Sequence, residues 1–230
     1  MKLLGMIGGT GPESTIDYYR LLIAAFRERR PDGGSPPLII NSIAGDQLLN
    51  LLNTNDLAGV TATLLPELRC LEQAGVEIGL LTSCTLHIVF DDLRRSSPIP
   101  LISIVEATAE AVEGQRLKRV GLFGTRLTMT NGFFHKVFEQ AGIELVTPDT
   151  TDQEYIDATY FTELVRGVFR EQTRKRFVAI AQGMKQHRGI EGLILGGTEL
   201  PLLLRDANDI AIPVFDATRL HVERAVRELL

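Results

Sequence analysis

Short apolar runs alternate with longer amphipathic stretches along this chain. The runs hold a few consecutive Val, Ile, Leu or Gly residues, which is typical of parallel strands buried on both faces. The stretches between them place apolar residues at helical spacing. The pattern predicts strands over 2–7, 37–43, 77–81, 119–123, 192–195 and 212–215. It predicts helices over 12–26, 56–74, 105–112, 133–141, 155–169, 173–186 and 218–229, with a kink or a break at Pro66 in the second of them.

Strands that alternate with helices favour an α/β fold of parallel sheets flanked by helices. Two segments half a chain apart, 80–87 and 193–200, share one pattern: an apolar strand, two small residues and a Thr that can open a helix. We therefore expect two pseudo-symmetric domains with an active-site cleft between them. The predicted bounds are 1–98 plus 211–230 for the first domain, which the C-terminal helix completes, and 99–210 for the second.

The composition narrows the class of protein. A hydrophobic content of 44% with 23% charged residues is ordinary for a soluble globular chain. The net charge of −5 argues against a nucleic-acid partner, and the apolar runs are too short to span a membrane. We expect a cytoplasmic protein with neither kind of partner. Only Cys70 and Cys84 are present, which excludes a disulfide framework and a Cys-rich metal site, and we expect Cys70 in the core.

A Gly-rich turn follows the first predicted strand. Its residues Gly9, Thr10 and Gly11 precede a helix that starts near Pro12, so their backbone N–H groups are candidates to receive a carboxylate. A purely structural turn fits the same residues. A dinucleotide site is not expected, because the third glycine of that motif is absent. We predict no cofactor.

Three threonines fall at predicted strand-to-helix junctions: Thr85, Thr125 and Thr198. Their hydroxyl and N–H groups are candidates to hold a substrate carboxylate. Helix capping is the alternative role, and a capping residue can still present its N–H to a ligand. We expect Asp46 to cap the helix after the second strand.

Several motifs occur in an order that resembles one known family. They are IGGTGPEST at 7–15, Thr85-x-His87, Gly124-Thr125-x-x-Thr128, Gly196-x-Thr198-Glu199 and PVFD at 213–216. This set, which covers essentially the whole chain, resembles the aspartate/glutamate racemase superfamily, whose members racemise amino acids without pyridoxal phosphate. The resemblance implies two α/β domains with the active site at their interface, a homodimer, and a small amino acid or carboxylate as ligand.

This chain departs from the family pattern at both catalytic positions. The family's first motif is usually Cys-Asn-Thr-x-His, and alignment on His87 places Ser83 at the Cys and Cys84 at the Asn. The second motif is usually Gly-Cys-Thr-Glu, and Gly197 stands at its Cys. Family members that act on acidic amino acids carry a basic side chain near the position aligned with Tyr155. The resemblance therefore implies that a two-thiol mechanism does not operate with these residues in their aligned places.

Racemisation needs an acid/base group on each face of the α-carbon. The Ser83 hydroxyl is a weak base unless another group activates it, and Gly197 has no side chain. Three interpretations stay open. In the first, Cys84 takes the catalytic role after a local rearrangement. In the second, Ser83 is activated by His87 or a carboxylate and works from one face of the substrate, as in decarboxylation, elimination or isomerisation. In the third, the chain binds an amino acid or carboxylate without catalysis.

We predict a racemase-like isomerase that acts at the α-carbon of an amino acid or small carboxylate without a cofactor or metal. His87 is a candidate general base or an orienter of Glu199, and Glu199 is a candidate acid/base group. The predicted catalytic positions are Ser83, Cys84, His87, Glu199 and Gly197. The predicted substrate-binding residues are Gly9, Thr10, Gly11, Thr85, Thr125, Thr198 and Tyr155.

Overall fold

A computed structural model describes residues 1–30, 33–205 and 208–230. The chain forms two compact units, Met1–Ser103 with His221–Leu230, and Ile104–Leu220. Each unit has a parallel sheet flanked by helices, which confirms the predicted α/β class. The predicted domain bounds at 98/99 and 210/211 stay a prediction.

The first unit is built on a parallel sheet in the order β2-β1-β3. Its strands are β1 (Leu4–Gly8), β2 (Leu38–Ser42) and β3 (Ile78–Leu81). Its helices are α1 (Pro12–Arg29), α2 (Gly45–Asn53), α3 (Leu57–Gln73) and α4 (Phe90–Ser96), with a 3₁₀ turn at Thr85–Val89. Leu4 lies opposite Leu38 on one side and Ile78 on the other, and a further parallel bridge joins Gly79 to Leu101. The central strand β1 is buried along its whole length, which explains its continuous apolar sequence.

The second unit is built on a parallel sheet in the order β5-β4-β6-β7. Its strands are β4 (Arg119–Gly124), β5 (Glu144–Val146), β6 (Gly192–Gly196) and β7 (Val214–Asp216). Its helices are α5 (Ile104–Gly114), α6 (Arg126–Thr130), α7 (Phe133–Gln140), α8 (Thr150–Thr162), α9 (Glu171–Arg188) and α10 (Leu200–Leu204), with 3₁₀ turns at Leu164–Arg166 and Asn208–Ile210. The last helix, α11 (Ala217–Leu229), belongs to this unit through Leu220 and to the first unit from His221 onward.

The two units repeat one strand order. In each, the second strand pairs with the first and the first with the third; Leu101 then extends one sheet where β7 extends the other. All strands of a parallel sheet end at the same edge, so the turns after β1 and β3 share one edge and the turns after β4 and β6 share another. These two edges carry the residues that the sequence singles out.

Several local predictions are wrong. Helix α3 continues through Pro66, which contradicts the predicted break, while the alternative of a kink stays a prediction. Pro66 and Ala62, whose carbonyl loses its partner, are both exposed to water. Asp46 does not cap α2, whose N-cap is Ala44, and lies instead in its first turn. Cys70 is exposed rather than part of the core. The pattern gave no bounds for helices α2 and α6 or for the three-residue strand β5.

Candidate functional site

The turn after β1 depends on Gly9. Gly9 has a φ of +90°, and a Cβ there would lie 2.7 Å from the Ser42 hydroxyl oxygen and against the Ile43 carbonyl oxygen. Its N–H donates to the Thr15 hydroxyl oxygen at 2.9 Å. The Gly9 amide therefore stabilises the turn itself, and the predicted contact with a carboxylate would fall to the following residues, Thr10 and Gly11.

The end of β3 places Ser83 and Cys84 in different surroundings. Ser83 is partly exposed, and its hydroxyl oxygen lies 3.5 Å from the Leu86 N–H at the start of the 3₁₀ turn. Cys84 is only 2% exposed. Thr85 begins the turn and is partly exposed as well. Of the two neighbours that the sequence offers for a catalytic role, Ser83 is thus the more exposed.

His87 and His221 are buried side by side with their rings 5.9 Å apart. His87 Nδ1 lies 2.8 Å from the Ser83 carbonyl oxygen, and His221 Nε2 lies 3.0 Å from that of Ile102. A carbonyl oxygen only accepts, so these nitrogens carry the protons. His221 Nδ1 is then the acceptor for the Tyr18 hydroxyl, 2.9 Å away. The hydrogen bonds fix the tautomer of each ring.

Both imidazoles are neutral at pH 7. Burial, followed by the charge of His221, lowers the pKa of His87 to about 3. Burial lowers the pKa of His221 to about 4. An imidazole with so low a pKa is a poor general base near neutral pH. The geometry favours a role for His87 in holding the Ser83 backbone, aided by its stacking on Phe90 at 4.8 Å.

In the second unit, Thr125 caps α6. Its hydroxyl oxygen accepts from the Thr128 N–H at 3.3 Å and lies 3.1 Å from the Thr128 hydroxyl oxygen. The capping alternative therefore applies to Thr125, and its own N–H remains a candidate for ligand binding. Thr198, after β6, donates its hydroxyl proton to Glu199 at 3.0 Å and so orients that carboxylate.

Tyr160, which the sequence pattern did not indicate, lies against Gly197. A Cβ at Gly197 would be 2.5 Å from Tyr160 Cε2 and 3.1 Å from its hydroxyl oxygen. The Tyr160 hydroxyl donates to Glu199 Oε2. Tyr160, Thr198 and Glu199 are all at least 95% buried, with exposures of 5%, 3% and 2%. The aromatic ring thus occupies the space into which any side chain at position 197 would project.

Tyr155 has a different environment from Tyr160. It is five residues earlier on α8, so the two side chains project about 140° apart around the helix axis. The Tyr155 ring packs 6.0 Å from the Phe177 ring, and the Arg176 guanidinium lies 5.7 Å from its centre. Tyr155 therefore joins α8 to α9, and its contact with a substrate stays a prediction.

The described part of the chain holds no group of three His, Cys, Asp or Glu side chains arranged for a metal ion. Over the same residues, no helix combines the length and the apolar character needed to cross a bilayer.

Comparison with known proteins identifies the family. The sequence profile of the Asp/Glu/Hydantoin racemases matches residues 7–225, nearly the whole chain. The chain belongs to the Asp/Glu/Hydantoin racemase family. A glutamate racemase from Aquifex aeolicus is 27% identical over 65% of this chain, and the match spans 57% of that enzyme's own length.

Solved structures of the family share the whole fold. A Yersinia pestis protein described as a candidate Asp/Glu racemase has a TM-score of 0.90 and 33% identity over 100% of this chain and 99% of its own. An aspartate racemase homologue from Pyrococcus horikoshii has a TM-score of 0.85 and 36% identity over the same shares of the two chains. The resemblance drawn from the motifs is thereby confirmed at the level of family and fold.

In this chain Ser83 follows β3 and Gly197 follows β6. That these positions correspond to the family's two thiols stays a prediction of the motif alignment.

Proposed function

We propose that this member of the racemase family transfers the α-proton of a small amino acid or carboxylate without a cofactor and without paired thiols. The observation that carries the proposal is the pair of strand ends. Ser83 stands partly exposed after β3, and Gly197 after β6 is covered by the Tyr160 ring. A thiol is absent from both positions, while hydroxyl and carboxylate groups are present near them.

The candidate carboxylate-binding groups lie at strand ends within each unit. Backbone N–H groups that follow strand ends are suited to bind an anion. The residues in such positions are Thr10 and Gly11 at the start of α1, Thr85 at the 3₁₀ turn, and Thr125 and Thr198 in the second unit. The names of the relatives, glutamate racemase and aspartate racemase homologue, support an acidic amino acid as the first substrate to test.

A second candidate is a binding protein for the same class of ligand. The observation that favours it is the burial of His87, with Nδ1 bound to the Ser83 carbonyl oxygen. Burial lowers the pKa of His87 to about 3, which removes one activator that Ser83 would need. A one-base decarboxylase or lyase would also need an activator for Ser83, and Cys84 is buried. The first experiment separates all three.

That experiment follows α-proton signals by NMR in deuterated water with the D and L forms of aspartate, glutamate and other amino acids, and with small dicarboxylates. Exchange from both enantiomers with racemisation supports the proposal. Exchange from one enantiomer alone, or loss of a carboxyl group, indicates one-base chemistry. Ligand-induced line broadening with no exchange on any compound supports the binding protein and overturns catalysis.

Matched variants assign the residues. Ser83→Ala should lower the exchange rate about 100-fold or more if its hydroxyl takes part, by the usual size of acid/base contributions. Ser96→Ala, at an exposed position ending α4, is the control and should leave the rate unchanged. Cys84→Ser should lower the rate less than Ser83→Ala does, because Ser83 is the more exposed of the two neighbours. A selective loss in Cys84→Ser would return the catalytic role to that thiol.

The remaining expectations belong to the same proposal: a cytoplasmic homodimer that needs neither metal nor cofactor. Gel filtration with light scattering tests the dimer. Activity that survives a chelator and a carbonyl-trapping reagent supports cofactor independence, and loss of activity to either contradicts it.

A further inference from the structure

The phenol ring of Tyr160 fills the space that a side chain at position 197 would occupy. Position 197 lies at the carboxyl end of β6, the edge at which open α/β sheets place their reactive groups. The Tyr160 hydroxyl oxygen is 3.1 Å from where a Cβ at Gly197 would stand. A short side chain at that position would hold its terminal atom in the same small region. Tyr160 therefore brings an ionisable O–H group to a point that Gly197 leaves without one.

The phenol is coupled to a buried carboxylate. The Tyr160 hydroxyl donates to Glu199 Oε2, and the Thr198 hydroxyl donates to the same oxygen at 3.0 Å. The Glu199 N–H also lies 3.5 Å from the phenol oxygen. A buried carboxylate requires such donors to remain charged. The Glu199 carboxylate can therefore accept the phenol proton of Tyr160 when the phenol oxygen takes up a second proton from a substrate.

We propose that Tyr160 and Glu199 form an acid/base pair for α-proton transfer, which rests on the function proposed above. In one direction, the phenol oxygen takes the α-proton while the phenol proton passes to the Glu199 carboxylate. The C–H electron pair stays on the α-carbon as a carbanion, and Glu199 becomes neutral. The reverse transfer returns a proton to the carbanion and restores the carboxylate. No oxidant, reductant or further reactant is needed.

A purely structural role for Tyr160 is the rival explanation. The ring would then only fill the space beside Gly197, and its hydroxyl would only satisfy Glu199. The two roles separate chemically, because Tyr160→Phe keeps the ring and removes the ionisable group. Tyr19→Phe is the matched control, since it makes the same change at an exposed tyrosine on α1.

The test measures α-proton exchange in deuterated water for wild type and the variants Tyr160→Phe, Tyr19→Phe and Glu199→Gln, each with its fold checked by circular dichroism. We expect Tyr160→Phe to lower kcat for exchange at least about 100-fold, and Tyr19→Phe to stay within about twofold. Glu199→Gln keeps an acceptor for the phenol but cannot take its proton. It should lower kcat by a similar factor and change KM less than about threefold.

Each outcome decides between the ideas. Exchange in wild type that persists in Tyr160→Phe overturns the acid/base pair and leaves the proposed function standing. A loss in Tyr160→Phe with full activity in Glu199→Gln also overturns the pair, because the carboxylate is then only a structural acceptor. If wild type exchanges no α-proton from any tested compound, the proposed function fails and the pair fails with it.

A compensating variant guards against loss through misfolding. Tyr160→Ala removes the ring and should lose exchange like Tyr160→Phe. Adding Gly197→Cys to it places a thiol in the vacated space, and a thiol is itself a suitable acid/base group. Recovery of at least about tenfold in the double variant supports proton chemistry at this point. No recovery, in a folded double variant, contradicts it.

Discussion

Replacing Gly197 by Ala tests the contact on which this interpretation depends. The added Cβ would lie 2.5 Å from Tyr160 Cε2, about 1 Å closer than the optimal separation of two carbon atoms. The ring cannot withdraw without cost, because it is 5% exposed and its hydroxyl is bound to Glu199. Overpacking of this kind costs about 1–3 kcal/mol.

An opposing effect lowers the net value. Gly197 lies outside the positive-φ region, so Ala can adopt its backbone conformation and gains about 0.4–1 kcal/mol by restricting the unfolded chain. We therefore expect Gly197→Ala to lower the free energy of unfolding by about 1–2 kcal/mol. For a chain of this length the Tm should fall by about 2–8 °C.

The assay is urea and thermal unfolding followed by circular dichroism. Gly183→Ala is the control, because Gly183 lies within α9 and a Cβ there meets nothing within 4 Å. It should stabilise the protein by about 0.5–1 kcal/mol. In a Tyr160→Ala background, Gly197→Ala should no longer destabilise, which gives a coupling of about 1–3 kcal/mol. A Gly197→Ala variant as stable as wild type, with no coupling to position 160, would refute the placement of the ring.

Three further predictions concern stability. The pKa of His87 is about 3 and that of His221 about 4 in the folded chain, below the unfolded value of about 6.5, so the unfolded state binds more protons and stability falls as pH drops below 6.5. Each histidine lowers the free energy of unfolding by about 2 kcal/mol between pH 7 and pH 5. Urea unfolding at these two pH values should show a smaller loss of stability in His221→Gln than in His187→Gln, a control at an exposed position. Equal losses in the two variants would contradict the pKa assignment. Tyr18→Phe leaves His221 Nδ1 without the phenol donor and should lower the free energy of unfolding by about 1–3 kcal/mol at pH 7 in the same assay. A change near zero would argue against that hydrogen bond. Thr125→Ala removes the cap of α6 and should cost about 1 kcal/mol, whereas Thr125→Ser should restore most of it.

The fold followed from the sequence because its signal is local. The run at β1 is apolar since that strand is covered on both faces, and the helix over Leu57–Gln73 was predicted to within a residue at each end. Asp56 caps that helix by accepting from the Gly59 N–H at 2.8 Å, a short-range contact that a sequence pattern can carry.

The candidate site was only partly accessible to the same reasoning. Positions 83 and 197 could be singled out by their motifs, but their surroundings could not. The sequence left a catalytic role open for both Ser83 and Cys84, and the structure shows that Cys84 is the more buried of the two. The sequence pattern indicated Tyr155, which packs against Phe177, and passed over Tyr160, whose partner Glu199 is 39 positions away.

By itself, the sequence determined the α/β class, the family, and the absence of thiols from positions 83 and 197. These depend on periodicity along the chain and on residue identity, which are properties of short segments. Only the tertiary structure decided that Tyr160 fills the space beside Gly197, and that His87 is buried next to His221. Such contacts are set by how helices pack onto a sheet, because packing brings together side chains whose separation along the chain carries no local signal.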